Sequence, residues 1–208
     1  AAALLVGDRV ILRHEAMDKG QAERLMPLLE EVLAEGGLGW GDLRALAVGT
    51  GPGNFTGVRI AVAAARGLAL GLGIPAVGVT RLEALAHGLP RPLTVVEDAR
   101  RGEVYVQLFL ATGAGRAHLA ARAVAATAVT GSAAGDEALP SAMPLVEAIA
   151  RIGATRAETP QRRPAPFYLR GADAAGLEVE FLLAVDAGRG GAVRAAHIIG
   201  LDLKAGER

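Results

Sequence analysis

The residues best placed for chemistry form a glycine-rich turn over residues 49–57, with the sequence GTGPGNFTG. The turn follows a short apolar run and leads into an alanine-rich stretch, a context in which backbone N–H groups and a helix N-terminus bind phosphate. The spacing departs from both common phosphate-binding patterns. No lysine follows the last glycine, and Gly49, Gly51 and Gly53 form G-x-G-x-G rather than G-x-G-x-x-G. Spacing alone therefore favours a structural turn over a phosphate cradle.

The titratable and nucleophilic side chains offer no second arrangement that could do chemistry. The absence of cysteine excludes thiolate nucleophiles, thiolate metal sites and disulfides. The four histidines lack the short spacing of metal-binding pairs: His14, His87, His118 and His197. Charges surround Asp98, and a solvated hairpin tip is the favoured interpretation because charged loops are common on surfaces. The residues predict no catalytic, metal-binding or cofactor-binding group.

Composition points to a folded protein of the cytoplasm. The 208 residues are 51% hydrophobic and 21% charged, which is enough apolar material for a sizeable core. Lys plus Arg equals Asp plus Glu at 22 each, so charge gives no reason for the chain to wrap nucleic acid by itself. We expect no signal peptide and no membrane span, and the lack of cysteine fits a reducing compartment.

Apolar runs with strand and helix periodicity alternate along the chain, which predicts an α/β domain with a mixed sheet. The predicted elements are strands over 1–6 and 9–14, a helix over 21–36, a strand over 43–48, a helix over 55–72, a strand over 74–79, a helix over 80–86, a hairpin over 93–96 and 103–110, and a helix over 140–152. Residues 111–136 fit a strand–loop–strand pattern poorly.

Two of these helices have surfaces suited to close packing. The helix over 55–72 is small on most faces, with Ala63, Gly67 and Gly71 recurring every four residues. Such a helix could pack inside its own chain, and it would equally suit a contact with a helix of a second protein. The helix over 21–36 could lie beside it.

Residues 51–60, GPGNFTGVRI, resemble the G-P-G-S-F-T-G-[LV]-R signature of the TsaB (YeaZ) family, with Asn54 where serine is commoner. Residues 21–27 (QAERLMP) are similar to the family's H-A-E-R-L-x-P segment. Residues 98–105 (DARRGEVY) are similar to its D-A-R-[RK]-x-E-V-Y hairpin, and residues 167–170 (FYLR) to its P-x-Y-L-R. The resemblance covers about residues 1–173, and its motifs are long and contiguous.

This resemblance implies an α/β, actin-like (RNase H-like, ASKHA) fold of two lobes, with mixed sheets flanked by helices. It implies a non-catalytic partner of TsaD, the subunit that transfers a threonylcarbamoyl group to N6 of adenosine 37 in tRNA. The ATPase TsaE joins the same complex, tRNA is reached through the complex, and the isolated protein pairs with itself. TsaB proteins lack the metal-binding histidine pair of TsaD, and Gln21 here agrees with that. No intrinsic cofactor is implied, although ATP fits the assembled complex.

The family contact between TsaB and TsaD is made by two helices that correspond to residues 21–36 and 54–72. The resemblance and the packing pattern together predict nine residues at a partner interface: Gln21, Leu25, Met26, Leu29, Thr56, Arg59, Ala61, Ala65 and Leu68.

The predicted divisions are an N-terminal actin-like lobe over 1–92, a smaller C-terminal lobe over 93–176, and an unassigned segment over 177–208. The family begins with an apolar strand ending in D-T-S. We expect that strand to be missing here, and residues 181–188 (FLLAVDAG) resemble it faintly.

Two other functions compete with the scaffold role. A free-standing actin-like nucleotide-binding ATPase would need carboxylates at the first loop, and a protease would need a nucleophile or a metal-ligand set. For the turn we expect a positive φ at Gly53 and a helix cap from Asn54 or Thr56. Arg59 lies near the helix N-terminus, where a cation is unfavourable, which predicts a carboxylate partner or a contact with another subunit.

Overall fold

The computed structural model describes residues 1–17, 19–122, 128–170, 179–184 and 198–203, the last two stretches by their backbone. The first part of the chain builds two strand pairs and three helices. In chain order these elements are β1 (Ala2–Val6), β2 (Arg9–Arg13), α1 (Gln21–Glu35), a 3-10 turn (Trp40–Asp42), β3 (Leu46–Gly49), α2 (Phe55–Leu72), β4 (Ala76–Val79) and α3 (Arg81–Ala86). Strands β1 and β2 form an antiparallel hairpin, whereas α2 links β3 to the parallel strand β4.

A second, mixed sheet follows α3. Its strands are β5 (Leu93–Asp98), β6 (Glu103–Leu110), β7 (Gly113–Ala114), β8 (His118–Ala121) and β9 (Val129–Thr130). Strand β6 pairs antiparallel with β5, β7 and β8, while β9 pairs parallel with β5. Helix α4 (Leu145–Arg156) comes next, and an antiparallel pair, β10 (Val179–Ala184) and β11 (Ile198–Leu203), ends the described chain.

Helices cover both faces of the first strands, and β1 shows this directly. Ala2 and Leu4 point into a core shared with α1 and α2, while Ala3 and Leu5 point into a core shared with α4. All four side chains are buried, because alternate residues of a strand face opposite sides of the sheet. The result is a helix–sheet–helix arrangement in which α4 packs on the opposite side from α1 and α2.

The pair β10–β11 lies close to the same strands. The backbone of β10 contacts β3 and α2, and the backbone of β11 contacts β1 and α4. The stretch 181–188, which resembles the family's first strand, therefore begins within a strand next to β3. Residues 185–188 lie outside the described residues.

The predicted elements are confirmed with small changes of boundary. Helix α2 has the predicted bounds, whereas the last predicted helix, expected over 140–152, begins only after Pro144 and reaches Arg156. Residues 111–136 contain three short strands that the weak pattern did not predict. Within the described residues, α2 alone is long and apolar enough to cross a membrane by length and composition, which core helices also satisfy.

Candidate partner-binding surface

The inward faces of α1 and α2 share one core. Helix α1 contributes leucines such as Leu25 and Leu29, and α2 contributes small residues such as Ala61 and Ala65. Helix α2 lies against β3 and the backbone of β10, so these small residues pack on strands. The small face of α2 is therefore used inside this chain.

This packing divides the nine residues predicted for the interface. Four of them lie in the core and cannot reach a partner without unfolding the helices: Leu25, Leu29, Ala61 and Ala65. Five lie at least partly at the surface: Gln21, Met26, Thr56, Arg59 and Leu68. The interface itself stays a prediction, and the structure limits it to the outer faces of α1 and α2. We call these outer faces the two-helix surface, formed by Gln21, Ala22, Glu23, Met26, Glu30, Thr56, Arg59, Ala63, Gly67 and Leu68.

The two-helix surface is apolar on α2 and differs in charge between the helices. Six of the 18 residues of α2 are buried, and seven are exposed. The outer face of α1 carries Glu23 and Glu30, and that of α2 carries Arg59. Neither glutamate makes an ion pair with a described residue. These acids are therefore available to a partner with complementary charge.

The guanidinium group of Arg24 links the segment before α1 to the helix. Arg24 lies 2.5 Å from Glu15 through Nη2 and 2.7 Å from Glu31 through Nη1. The hydrogen bonds from Arg24 lower the pKa of both carboxyl groups. Nearby, the Gln21 side chain donates a 3.1 Å hydrogen bond to the Met17 carbonyl oxygen. The start of α1 is thus held without a side-chain cap at Gly20.

The glycine turn between β3 and α2 depends on Gly51. Its φ is 96°, in the left-handed region that favours glycine, and it precedes a cis peptide bond to Pro52. A β-carbon at Gly51 would meet the Gly53 nitrogen at 3.2 Å and the Phe167 carbonyl oxygen at 3.3 Å. The prediction of a positive φ at Gly53 is therefore wrong, because the special conformation lies two residues earlier.

Backbone hydrogen bonds tie this turn to distant parts of the chain. Arg81 N–H donates to the Gly51 carbonyl at 2.8 Å, and Phe167 N–H donates to the Thr50 carbonyl at 2.7 Å. These bonds connect the turn to the start of α3 and to the segment over 164–170. The turn is a junction of three parts of the fold, as the structural interpretation requires.

Asn54 caps α2, as predicted. Its Oδ1 accepts from the N–H groups of Thr56 at 2.9 Å and Gly57 at 3.1 Å. These are donors that a phosphate at the helix N-terminus would otherwise use. The cap therefore leaves fewer donors for phosphate at this turn.

Arg59 is held by aromatic rings rather than by a carboxylate. Its Nε donates a 3.1 Å hydrogen bond to the Tyr168 hydroxyl, and its guanidinium carbon lies 3.7 Å from the centre of the Phe55 ring. The two rings stack with centroids 5.2 Å apart. A positive charge over a ring face is attracted by the ring's quadrupole. The predicted carboxylate partner is therefore absent among the described residues, and Tyr168 joins the two-helix surface.

A small cavity of about 260 Å³ lies between the glycine turn and the charged hairpin. Its buried acid is Glu97, only 5% exposed, whose Oε2 lies 2.5 Å from Arg81 and whose Oε1 accepts from Ser132 N–H at 2.5 Å. Asp98 is more open and lies 3.9 Å from Arg100 and 3.8 Å from Arg122. The interpretation of this cluster as a solvated tip is wrong for Glu97, which the sequence alone could not distinguish from its exposed neighbours.

The hairpin tip is also tied to the segment over 164–170. Arg100 and Arg101 have φ of 64° and 56°, which is uncommon for residues other than glycine. Arg170 forms an ion pair with Glu103 and reaches the Arg100 carbonyl oxygen at 3.4 Å. Among the described residues, no three His, Asp or Glu side chains are grouped to hold a metal ion.

Comparison with known proteins places these features in a family. The model of the family "TsaD: tRNA N6-adenosine threonylcarbamoyltransferase" matches residues 15–175. The "tRNA threonylcarbamoyladenosine biosynthesis protein TsaB" of Escherichia coli (strain K12) is 41% identical over 108 residues, 49% of this chain and 46% of that protein. The protein of the same name in Bacillus subtilis (strain 168) is 40% identical over 114 residues, 51% of this chain and 48% of that protein.

The matches to solved structures cover more of the chain than the matches to curated relatives. "YeaZ from Pseudomonas aeruginosa" is 26% identical with a TM-score of 0.64, and the match covers 81% of this chain and 93% of that one. A second crystal structure is described as an uncharacterized protein with similarity to peptidase YEAZ from Pseudomonas aeruginosa. It is 28% identical with a TM-score of 0.61, and the match covers 81% and 94%. The chain spans about half the length of the curated relatives it matches.

Proposed function

The chain belongs to the TsaD family, among the proteins named TsaB and YeaZ and with their actin-like α/β fold, and from this premise we propose that it is a supporting subunit for threonylcarbamoylation of tRNA. In this role it would pair with TsaD, and TsaE would join the same assembly. The tRNA would be reached through the assembly, where ATP would also act. The names of the relatives support a role in the tRNA modification pathway. The geometry of the two-helix surface supports the role of a binding subunit within that pathway.

The observation that carries the supporting role is the outer face of α2. Seven of the 18 residues of this helix are exposed, and six are buried. Small residues on that face, such as Ala63 and Gly67, allow a second helix to approach closely. An exposed apolar helix face beside charged residues is the usual anatomy of a protein–protein contact.

The charged groups of the cavity favour a role without chemistry. Glu97 pairs with Arg81 and accepts a backbone N–H from Ser132, so both of its carboxylate oxygens make structural contacts. Asn54 occupies helix N–H groups that a nucleotide phosphate would need.

The test is reconstitution of the modification reaction. The purified chain is combined with TsaD, TsaE, ATP, threonine, bicarbonate, the enzyme that forms threonylcarbamoyl-adenylate, and unmodified tRNA, and the modified nucleoside is measured by mass spectrometry. We expect product only when this chain is present. Ala63→Glu, which places a charge on the exposed face of α2, should abolish product and the binding of TsaD. Arg116→Glu, exposed near β7, is the matched control and should leave both unchanged.

Two outcomes would contradict this function. Full product without the chain would remove its supporting role. ATP hydrolysis by the isolated chain, lost in Arg81→Ala, would instead favour the free-standing ATPase, because Arg81 lines the cavity.

A further inference from the structure

A second surface feature lies at the opposite end of α2 from the glycine turn. It is an open cavity of about 540 Å³ between the last turns of α2, the start of β4 and the extended segment over 160–166. We call it the arginine groove, after Arg66 and Arg163. Its apolar lining includes Leu70, Ile74 and Pro75.

The charges of the groove are all of one sign. Arg66 and Arg163 line it, and no acidic side chain does. Neither arginine makes a hydrogen bond or ion pair with any residue that the structure describes. Two such cations beside one cavity create a positive potential that attracts an anionic ligand.

The wall of the groove is apolar and unusually exposed. Leu70 is 81% exposed, the most exposed large apolar side chain in the described part of the chain. It lines the groove together with Ile74 and Pro75. An apolar side chain packed on Leu70 would remove this surface from water. The groove therefore suits a ligand that is apolar and anionic at once.

The other wall offers free backbone groups. The segment over 160–166 contains several prolines, which favour an extended backbone. The N–H groups of Arg162, Arg163 and Ala165 donate to no described residue. Pro164 holds the segment against β4, since a β-carbon built on Gly78 would lie 3.5 Å from its α-carbon. Such an edge can pair with the backbone of an extended peptide.

We propose that the arginine groove binds an extended acidic segment of a partner protein. A carboxylate of that segment pairs with Arg66 and Arg163, an apolar side chain next to it covers Leu70, and its backbone runs along residues 161–165. The groove lies at the C-terminal turns of α2 and borders the two-helix surface at Gly67. Peptide binding by the isolated chain is measured without TsaD or tRNA, so it tests this inference separately from the supporting role.

The test uses the full chain and a fluorescein-labelled peptide, Glu-Leu-Glu-Leu-Glu amide, followed by fluorescence anisotropy. Lys-Leu-Lys-Leu-Lys amide is the control for charge, and Glu-Ser-Glu-Ser-Glu amide the control for apolar contact. The variants are Arg66→Glu, Arg163→Glu and Leu70→Ser. Arg116→Glu is the matched control, because Arg116 is exposed and lies outside both the groove and the segment over 160–166.

We expect saturable binding of the acidic apolar peptide, weakened by salt, and weak or no binding of the two control peptides. Arg66→Glu and Arg163→Glu should each raise the Kd by about tenfold or more, since charge reversal turns an attraction into a repulsion. Leu70→Ser should also weaken binding, and Arg116→Glu should change it by less than about threefold. Unchanged thermal unfolding of the variants shows that they are folded.

The proposal is overturned if the wild-type chain fails to bind the acidic apolar peptide at millimolar concentration. It is equally overturned if Arg116→Glu loses as much affinity as Arg163→Glu, because the attraction would then come from net charge alone. If the wild-type chain binds the peptide but does not support tRNA modification, the proposed function fails and the groove proposal stands.

Discussion

At the scale of single residues, Gly51 is the position where the turn allows least change. Its φ of 96° is unfavourable for any residue with a β-carbon, and that carbon would press on Gly53 and Phe167. We expect Gly51→Ala to lower the free energy of unfolding by about 1–3 kcal/mol. Urea denaturation measures this.

Gly67→Ala is the matched control for Gly51→Ala. Gly67 is exposed in the middle of α2, and nothing lies within 4 Å of the β-carbon it would gain. Because alanine is more favourable than glycine inside a helix, the free energy of unfolding of this variant should rise by up to about 1 kcal/mol. Equal stability of Gly51→Ala and wild type would show that the turn does not need its left-handed residue.

Tyr168 allows a second test at this scale. Its ring stacks on Phe55 and its hydroxyl accepts from Arg59. We expect Tyr168→Ala to lower the free energy of unfolding by about 1 kcal/mol, mostly because the ring contact is lost. Tyr168→Phe, which keeps the ring, should cost less than half as much because the hydrogen bond is exposed to water. A larger loss in Tyr168→Phe than in Tyr168→Ala would contradict this account.

The sequence predicted the residues of the turn better than their conformations. The cap by Asn54 follows from its side chain and its place before the helix, which are local properties. The positive φ at Gly51 occurs where Arg81 donates to Gly51 and Phe167 donates to Thr50, and both donors are far away in the chain. The partner of Arg59 was missed for the same reason, since Tyr168 lies 109 residues further on.

At the scale of elements, Glu83 connects α3 with α4. It completes the capping box with Thr80, and its Oε1 lies 2.6 Å from Arg156 of α4. Burial raises the pKa of Glu83, but the bonds from Arg156 and Thr80 outweigh burial, and the pKa is lowered overall. A carboxyl whose pKa is lowered by folding stabilises the fold above its unfolded pKa, about 4.3, and loses that contribution as the pH falls below it.

We therefore expect the free energy of unfolding to fall as the pH drops below about 4.3, and to fall less steeply in Glu83→Gln. At neutral pH that variant should be less stable by about 1–3 kcal/mol, because Arg156 loses its charged acceptor. Glu137→Gln, in the exposed segment before α4, is the control for removal of a carboxylate. Identical acid dependence of Glu83→Gln and wild type would exclude this role for the ion pair.

The element scale also explains why the interface residues were only partly predictable. The bounds of α2 were predicted from its cap and its continuous apolar composition. Which face turns inward was not, because a helix rich in alanine and glycine on every side has little amphipathic signal. On α1, Leu25 and Leu29 lie at core spacing, so their burial follows from helical periodicity.

At the scale of the whole molecule, the sequence predicted the class and the family but not the neighbours of each strand. The alternation of strands and helices was sufficient to predict an α/β fold with mixed sheets. The packing of α4 on β1, across about 140 residues of chain, has no local signal. The same holds for the approach of β10 to β3, which only three-dimensional packing decides.

The charge difference across the two-helix surface leads to a prediction for the isolated protein. The acids lie on α1 and Arg59 lies on α2, so two copies related by a two-fold axis can place α1 of one beside α2 of the other. Each charged contact then occurs twice. We expect the isolated chain to form a dimer through this surface, with a Kd that rises with salt.

Charge reversal on either helix tests this arrangement by sedimentation velocity. Glu30→Arg and Arg59→Glu should each weaken the dimer by about tenfold or more, because two exposed contacts of about 0.5 kcal/mol each become repulsive. An equal mixture of the two variants should associate again. In the mixed dimer the arginine introduced on α1 of one copy faces the glutamate introduced on α2 of the other, and the unchanged Arg59 faces the unchanged Glu30. Arg116→Glu, far from the helices, should sediment like wild type. A wild-type chain that stays monomeric at every concentration, or variants that dimerise as tightly as wild type, would show that charges on the two-helix surface do not hold two copies together.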